Sequence, residues 1–249
     1  MTTPGLKTLG LIGGMSWEST VPYYREINET VKARLGGLHS ARIILYSVDF
    51  AEIEELQAGG QWQAAGALLA EVAQKLEGAG ADALVLCTNT MHKVAEAISA
   101  AVNIPLLHIA DPTALAIRQA GYTTVGLLGT RFTMEQDFYR SRLEQGHGLT
   151  VLTPPVADRE RVHQIIYQEL CLGQVRDASR LAYLRVIADL GTRGAQAIIL
   201  GCTEIAMLIQ PESCSLPLFD TTALHASSAA HWALSEPSSF VFETSKRSS

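Results

Sequence analysis

Three short hydrophobic segments of this chain occur twice, in the same order and at nearly constant spacing. Each segment alone has only the pattern of a buried β-strand. The two copies are offset by 116, 114 and 112 residues for the three pairs, which is hard to obtain by chance. The repeat therefore predicts two lobes of roughly 110 residues that share one layout. The pairs are 9–13 with 125–129, 81–86 with 195–200, and 104–106 with 216–218.

Segments with helical spacing of apolar residues lie between these strands. An alternating order of strands and helices predicts parallel sheets flanked by helices. We therefore predict an α/β fold with two pseudo-symmetric three-layer αβα lobes. Ligands in such folds bind at the carboxyl ends of the strands, so the active site is expected in the cleft between the lobes. The predicted helices cover residues 20–35, 61–76, 133–143, 159–172 and 181–190.

The repeat also predicts the domain limits. Residues 1–112 form the first lobe and residues 113–220 the second. Segment 221–234 is expected to pack back on the first lobe, and the polar, serine-rich segment 235–249 is expected to be a tail.

Composition and charge exclude several classes of partner. With 47% hydrophobic and 18% charged residues, the chain is expected to fold around a core and not to be disordered. A net charge of −6 argues against nucleic acid or an anionic membrane as the main partner. No apolar run is long enough for a membrane span, and residues 1–14 lack a secretory pattern, so we expect a cytoplasmic protein.

The four cysteines are each either a small buried residue or a reactive thiol. None forms a CxxC motif and no Cys/His pair has zinc-ligand spacing, so we expect free thiols and no metal site. The repeat distinguishes among them, because it aligns Cys202 with Thr88 and Gly201 with Cys87. Neighbouring side chains of a strand point to opposite faces, so Cys87 should point away from Thr88. Cys87, Cys171 and Cys214 are therefore expected to be packing residues.

Thr88 and Cys202 oppose each other across the cleft if the lobes are related by a pseudo-twofold axis. Two opposed proton carriers suit the inversion of a carbon acid, which loses a proton on one face and gains one on the other. The polar neighbours Asn89, Thr90 and Thr203 would stabilise the enediolate together with backbone N–H groups. A helix N-terminus after the strand is expected to lower the pKa of the Cys202 thiol.

The functions of three further features stay open at this point. The turn Gly13-Gly14-Met15 lacks both G-x-G-x-x-G and a Walker lysine, which disfavours a nucleotide site. It either holds a small anion or only connects a strand to a helix. His92 and Glu204 either support the proton carriers or are exposed or helix-capping residues.

Taken together, these turns resemble those of the aspartate/glutamate racemase family, and the resemblance covers residues 7–234. The family's marks are read here at Gly13-Gly14-Met15, Thr88-Asn89-Thr90 and Gly201-Cys202-Thr203-Glu204. A bacterial branch specific for L-aspartate and L-glutamate, also described as a broader-range amino-acid racemase, shares further segments. These are residues 14–20, 87–92 and 134–139.

The resemblance implies an isomerase that inverts amino acids without a cofactor and forms a homodimer. Most family members carry cysteine at both catalytic positions, whereas this chain has Thr88 at the first. By resemblance, Cys202 is the base for L-substrates and Thr88 protonates the opposite face. A hydroxyl is a far weaker acid than a thiol, so we expect efficient exchange of the L-form's α-hydrogen and poor processing of the D-form. Because enantiomers have equal free energy, racemisation has the same kcat/KM in both directions. The asymmetry must therefore appear in kcat and KM separately, or as α-hydrogen exchange of the L-form that is faster than net inversion.

The resemblance also implies which residues contact the substrate. Gln57 matches a substrate-contacting position, and Arg161 lies on the helix where some relatives carry a substrate-binding lysine. Arg131, beside the second-lobe turn at Gly129-Thr130, is a further candidate cation. The predicted substrate-binding set is Met15, Gln57, Asn89, Thr90, Met91, Thr130, Arg161, Thr203 and Glu204.

Three other functions compete with this prediction. A pyridoxal phosphate racemase is disfavoured, because none of the five lysines has a recognisable Schiff-base setting. A maleate isomerase, hydantoin racemase or malonate decarboxylase would share the fold and the cleft. A non-catalytic, two-lobed amino-acid-binding protein is the alternative from another class.

Overall fold

A computed structural model describes residues 5–236 and shows two parallel four-stranded sheets, one in each lobe. Both sheets have the same topology, with strand orders β2-β1-β3-β4 and β6-β5-β7-β8. This arrangement confirms the predicted α/β fold with two lobes. The strands are β1 (Thr8–Gly13), β2 (Arg42–Ser47), β3 (Ala83–Leu86), β4 (Leu106–Leu107), β5 (Thr124–Gly129), β6 (Thr150–Leu152), β7 (Ala197–Gly201) and β8 (Leu218–Asp220).

Helices cover both faces of each sheet, as the alternating sequence order predicts. Those up to β5 are α1 (Trp17–Leu35), α2 (Phe50–Ala58), α3 (Trp62–Gly78), α4 (Ala95–Ala100) and α5 (Ala110–Gln119). Those after β5 are α6 (Arg131–Glu135), α7 (Asp137–Ser141), α8 (Val156–Gln168), α9 (Asp177–Thr192), α10 (Ile205–Leu208) and α11 (Thr221–Leu234). No helix within residues 5–236 has both the length and the hydrophobicity to cross a membrane.

The three repeated segments form the pairs β1/β5, β3/β7 and β4/β8. Gly10 and Gly126 hold equivalent places in the first pair. A Cβ added at Gly10 would lie 3.2 Å from the Cβ of Leu76, and one at Gly126 would lie 2.9 Å from Cδ1 of Leu190. Glycine at both places therefore allows the ends of α3 and α9 to pack closely on their strands.

Two predicted helices have different limits in the structure. The helix predicted over residues 133–143 is interrupted, because Gln136 adopts an extended backbone between α6 and α7. The first predicted helix begins earlier, at Trp17, because the Ser16 side chain accepts a hydrogen bond from the Ser19 amide and caps it.

The last described helix crosses from one lobe to the other. α11 follows β8 of the second sheet but packs against α1 of the first lobe. His225 on α11 bonds the Tyr23 hydroxyl and the Leu107 carbonyl, at 2.9 and 2.8 Å. At the other boundary, residue 113 lies inside α5, whose buried residues join the core of the second lobe. Of the predicted tail, residues 237–249 lie outside the described residues.

Candidate active site

The carboxyl ends of the central strands in both sheets meet at a small cavity of about 20 Å³. A cavity of this size holds roughly one water molecule, so it must widen before an amino acid can enter. Most of the predicted site residues are brought together here. The lining residues are Met15, Phe50, Gln57, Thr88, Asn89, Thr90, Thr130, Ile166, Tyr167, Cys171, Cys202, Thr203 and Glu204.

Thr88 and Cys202 reach this cavity from equivalent positions, just after β3 and just after β7. Both are buried, with 7% and 8% of their surface exposed. Cys87 instead lies in the first-lobe core, fully buried beside Leu9 and Leu11. The strand alternation thus separates Cys87 from Thr88, as the sequence predicts.

Glu204 is the acceptor for three hydrogen-bond donors around Cys202. The Cys202 thiol lies 2.9 Å from Oε2, and the Thr203 hydroxyl donates to the same oxygen at 2.7 Å. From the other lobe, the Ser16 hydroxyl donates to Oε1 at 2.8 Å. An ionised carboxylate can only accept, so the thiol is the donor and Cys202 carries its proton in this state.

The pKa of the Cys202 thiol is raised well above its ordinary value, first by burial and then by the Glu204 charge and Cys171. The expectation of a lowered pKa for Cys202 is therefore wrong. The helix that follows, α10, has only four residues, and Glu204 precedes it with a negative charge. Burial and this charge outweigh the effect of the helix N-terminus.

Hydroxyl and amide side chains form the rest of the polar lining. The Thr90 and Thr130 hydroxyls bond each other across the lobes at 2.9 Å. The Asn89 amide donates to the Thr221 hydroxyl at 3.0 Å, while its buried Oδ1 has no partner among the described residues. Leaving such an acceptor unpaired costs about 1–3 kcal/mol, so a ligand N–H group would be stabilised there.

Gln57 links both lobes at the opposite side of the cavity. Its Oε1 accepts from the Tyr167 hydroxyl at 2.8 Å, and its Nε2 lies 2.9 Å from the Met91 sulfur. The Tyr167 ring stacks on Phe50 with centroids 6.4 Å apart. Met91 therefore lies behind Gln57 and supports it, outside the lining itself.

The two candidate cations lie outside the cavity. Arg161 is exposed on α8, and Arg131 lies 3.9 Å from Glu160 at the surface. α8 presents Ile166 and Tyr167 to the site, and these residues lie more than ~100° around the helix from position 161. The structure thus does not bring Arg161 to this cavity. Within the described part of the chain, Glu204 is the single charged side chain that lines the cavity.

Four lining residues were not predicted: Phe50, Ile166, Tyr167 and Cys171. Cys171 was expected to be a packing residue, but the structure places its thiol at the cavity, where burial raises its pKa. The repeat covers strands and the turns after them, whereas Cys171 lies in a short helical turn after α8. Of these four residues, only Phe50 lies just after a strand, β2, where its position at a strand end could have revealed it.

His92 lies behind Thr88 and is neither exposed nor a lining residue. Of the two alternatives left open by the sequence, the structure thus disfavours an exposed or capping role. The Gly13-Gly14-Met15 turn connects β1 to α1, and the Gly14 amide donates to the Thr20 hydroxyl at 2.9 Å. That amide is therefore not free to hold an anion.

Comparison with known proteins identifies relatives along nearly the whole chain. The broad specificity amino-acid racemase RacX of Bacillus subtilis (strain 168) is 23% identical over 237 residues, which is 88% of this chain and 95% of RacX. A crystal structure of a Yersinia pestis protein proposed to be an Asp/Glu racemase superposes with a TM-score of 0.86 at 62% identity. It covers 92% of this chain and 100% of its own.

An aspartate racemase homologue from Pyrococcus horikoshii OT3 superposes with a TM-score of 0.79 at 32% identity, again over 92% of this chain and 100% of its own. The family model for Asp/Glu/Hydantoin racemases matches residues 12–229, which include every lining residue of the cavity. The chain therefore belongs to the Asp/Glu/Hydantoin racemase family and is an enzyme of the isomerase class.

Proposed function

We propose that this protein is a cofactor-independent amino-acid racemase that inverts the α-carbon of L-aspartate, L-glutamate and further amino acids. One observation carries the proposal: Thr88 and Cys202 reach one cavity from equivalent strand ends of the two lobes. Two-base inversion needs one proton carrier on each face of the α-carbon. On the family resemblance we also propose a cytoplasmic homodimer.

In the proposed mechanism, the thiol proton of Cys202 leaves to solvent through Glu204, whose Oε2 lies 2.9 Å from the sulfur and which returns to its carboxylate form. The thiolate then removes the α-proton of the L-substrate and becomes a thiol. The Thr88 hydroxyl gives its proton to the opposite face of the α-carbon, and the resulting alkoxide regains a proton from solvent. The unpaired Oδ1 of Asn89 is a suitable acceptor for the substrate ammonium.

The proposal is tested by incubating L-glutamate and L-aspartate with the protein in D₂O. We expect the α-proton NMR signals to disappear, and chiral chromatography to detect the D-enantiomers more slowly. Exchange of the α-proton separates a racemase from a non-catalytic binding protein, and inversion of free amino acids separates it from a maleate isomerase, hydantoin racemase or malonate decarboxylase. Undiminished α-proton signals in both substrates would end the proposal.

The lining also makes a prediction about the substrate side chain. Because no Lys or Arg among residues 5–236 lines the cavity, a side-chain carboxylate would meet only neutral hydrogen-bonding groups and the Glu204 charge there. We expect L-glutamine and L-asparagine to exchange their α-protons at least as fast as the isosteric acids. The comparison of kcat/KM within each acid–amide pair keeps size and shape constant. A tenfold or greater preference for both acids would mean that a cation enters the site when substrate binds.

The raised pKa of Cys202 sets the direction of the pH dependence. Below that pKa the thiolate fraction grows about tenfold per pH unit, so kcat/KM for L-substrate exchange should rise from about pH 6 to pH 9. Glu204→Gln removes the neighbouring negative charge, which lowers the thiol pKa and should shift this profile towards lower pH.

The matched control for this shift is Glu212→Gln, which removes an equal charge from an exposed turn of the same lobe. That variant should keep the original profile. If the profile of Glu204→Gln also stays in place, then Cys202 is not the group whose ionisation controls the reaction.

A further inference from the structure

We propose that His92 is a positioning residue for Thr88, which it holds by the backbone carbonyl through a single neutral tautomer. The inference rests on the proposed function, because it assigns His92 to the Thr88 half of the inversion. His92 neither lines the cavity nor contacts the place where substrate would bind, so its effect must pass through Thr88.

Both ring nitrogens of His92 have backbone partners that determine the tautomer. Nδ1 lies 2.7 Å from the Thr88 carbonyl oxygen, and the Ile109 amide donates to Nε2 at 3.2 Å. A carbonyl can only accept and an amide N–H can only donate. The ring must therefore carry its proton on Nδ1 and leave Nε2 unprotonated. In an imidazolium, the Nε2–H group would point at the Ile109 N–H group.

The position of the Thr88 hydroxyl depends on the backbone, whereas the position of the Cys202 thiol is also set by a side-chain hydrogen bond. Cys202 is held directly by its side-chain bond to Glu204. Within residues 5–236 no hydrogen bond is formed by the Thr88 hydroxyl, so its place is set by the backbone that carries it. That backbone is tied at its amide, which donates to the Leu86 carbonyl at 2.9 Å, and at its carbonyl by His92.

The other side of the His92 ring is held at the start of α5. Ile109 directly precedes α5, the helix through which the chain enters the second lobe. The His92 ring also packs on His108 and His225, with centroids 4.4 and 6.0 Å away. Burial, with a smaller contribution from His225, lowers the pKa of His92 to about 3, so the ring stays neutral at physiological pH. His92 thus forms a bridge that connects Thr88 to Ile109 through two hydrogen bonds, and it does not transfer a proton in the reaction.

Three variants test the bridge. An Asn amide occupies the place of Nδ1 and can donate to the Thr88 carbonyl, whereas a Gln amide occupies the place of Nε2 and cannot. We expect His92→Gln to slow inversion by about 10- to 100-fold, while exchange of the L-substrate's α-proton falls less than about threefold. His92→Asn should recover much of the inversion rate. His231→Asn, the matched control at an exposed ring on α11 that bonds only the Ser227 carbonyl, should leave the ratio of inversion to exchange unchanged.

A second measurement does not depend on activity. Imidazole ¹⁵N NMR of the unmodified protein should show His92 protonated on Nδ1 only and not titrating between about pH 5 and 8. The Nε2–H tautomer, or equal losses of inversion and exchange in His92→Gln, would overturn the inference. If the unmodified protein exchanges no α-protons, the proposed function fails instead, and the tautomer still decides whether the bridge exists.

Discussion

Replacing Cys202 by alanine should slow α-proton exchange of L-glutamate and L-aspartate by about 10³-fold or more. A positioned general base contributes about 10²–10⁴-fold. The other lining thiol, Cys171, lies in a helical turn after α8 and not at the end of a central strand. Glu204 holds the thiol on the side of the second lobe, and its own carboxylate is occupied by Thr203 and Ser16. The measurement is the decay of the α-proton NMR signal in D₂O.

Two further variants make the Cys202 result specific. Cys214→Ala removes a partly exposed thiol of the same lobe that lies outside the cavity, so it should keep the full exchange rate. Cys202→Ser keeps a donor for Glu204 but replaces the thiol by a much weaker acid, so it should remain nearly inactive. Full exchange in Cys202→Ala would show that another group removes the α-proton.

Replacing Thr88 by alanine should separate the two halves of the reaction. Inversion should fall by about 10²–10⁴-fold, because the opposite face of the α-carbon loses its proton donor. Exchange of the L-substrate should change less than about threefold, since Cys202 and Glu204 lie on the other lobe and keep their hydrogen bond. Chiral chromatography and α-proton NMR on the same samples measure the two rates.

Two further substitutions of Thr88 test whether a proton-carrying side chain at this position is enough for inversion. Thr88→Ser keeps a hydroxyl and should retain most of the inversion rate. Thr88→Cys supplies a stronger acid and a better base, so exchange of the D-substrate should rise about tenfold or more. An unchanged D-exchange rate in Thr88→Cys, together with normal inversion in Thr88→Ala, would remove Thr88 from the mechanism.

Some parts of the site could be predicted because their signals are local. Gly201-Cys202-Thr203-Glu204 and Thr88-Asn89-Thr90 directly follow apolar strands, and a strand places neighbouring residues on alternate faces. Arg161 and Tyr167 show the limit of this reasoning. Both lie on α8, but which side of a helix faces a cleft depends on the packing of two lobes, and the structure puts Tyr167 inside and Arg161 outside.

The two-lobed α/β fold and the equivalent positions of Thr88 and Cys202 could be predicted from the amino-acid sequence, because repeated strands leave a periodic pattern. The electrostatics of the site could not, since they depend on tertiary contacts. The pKa of Cys202 depends on how deeply the folded chain buries it and on the Glu204 carboxylate beside it. The bridge from His92 to Thr88 needs the Ile109 amide, 17 residues along the chain, to reach the same ring. Burial and contacts between distant segments exist only once the chain is folded, so no local pattern records them.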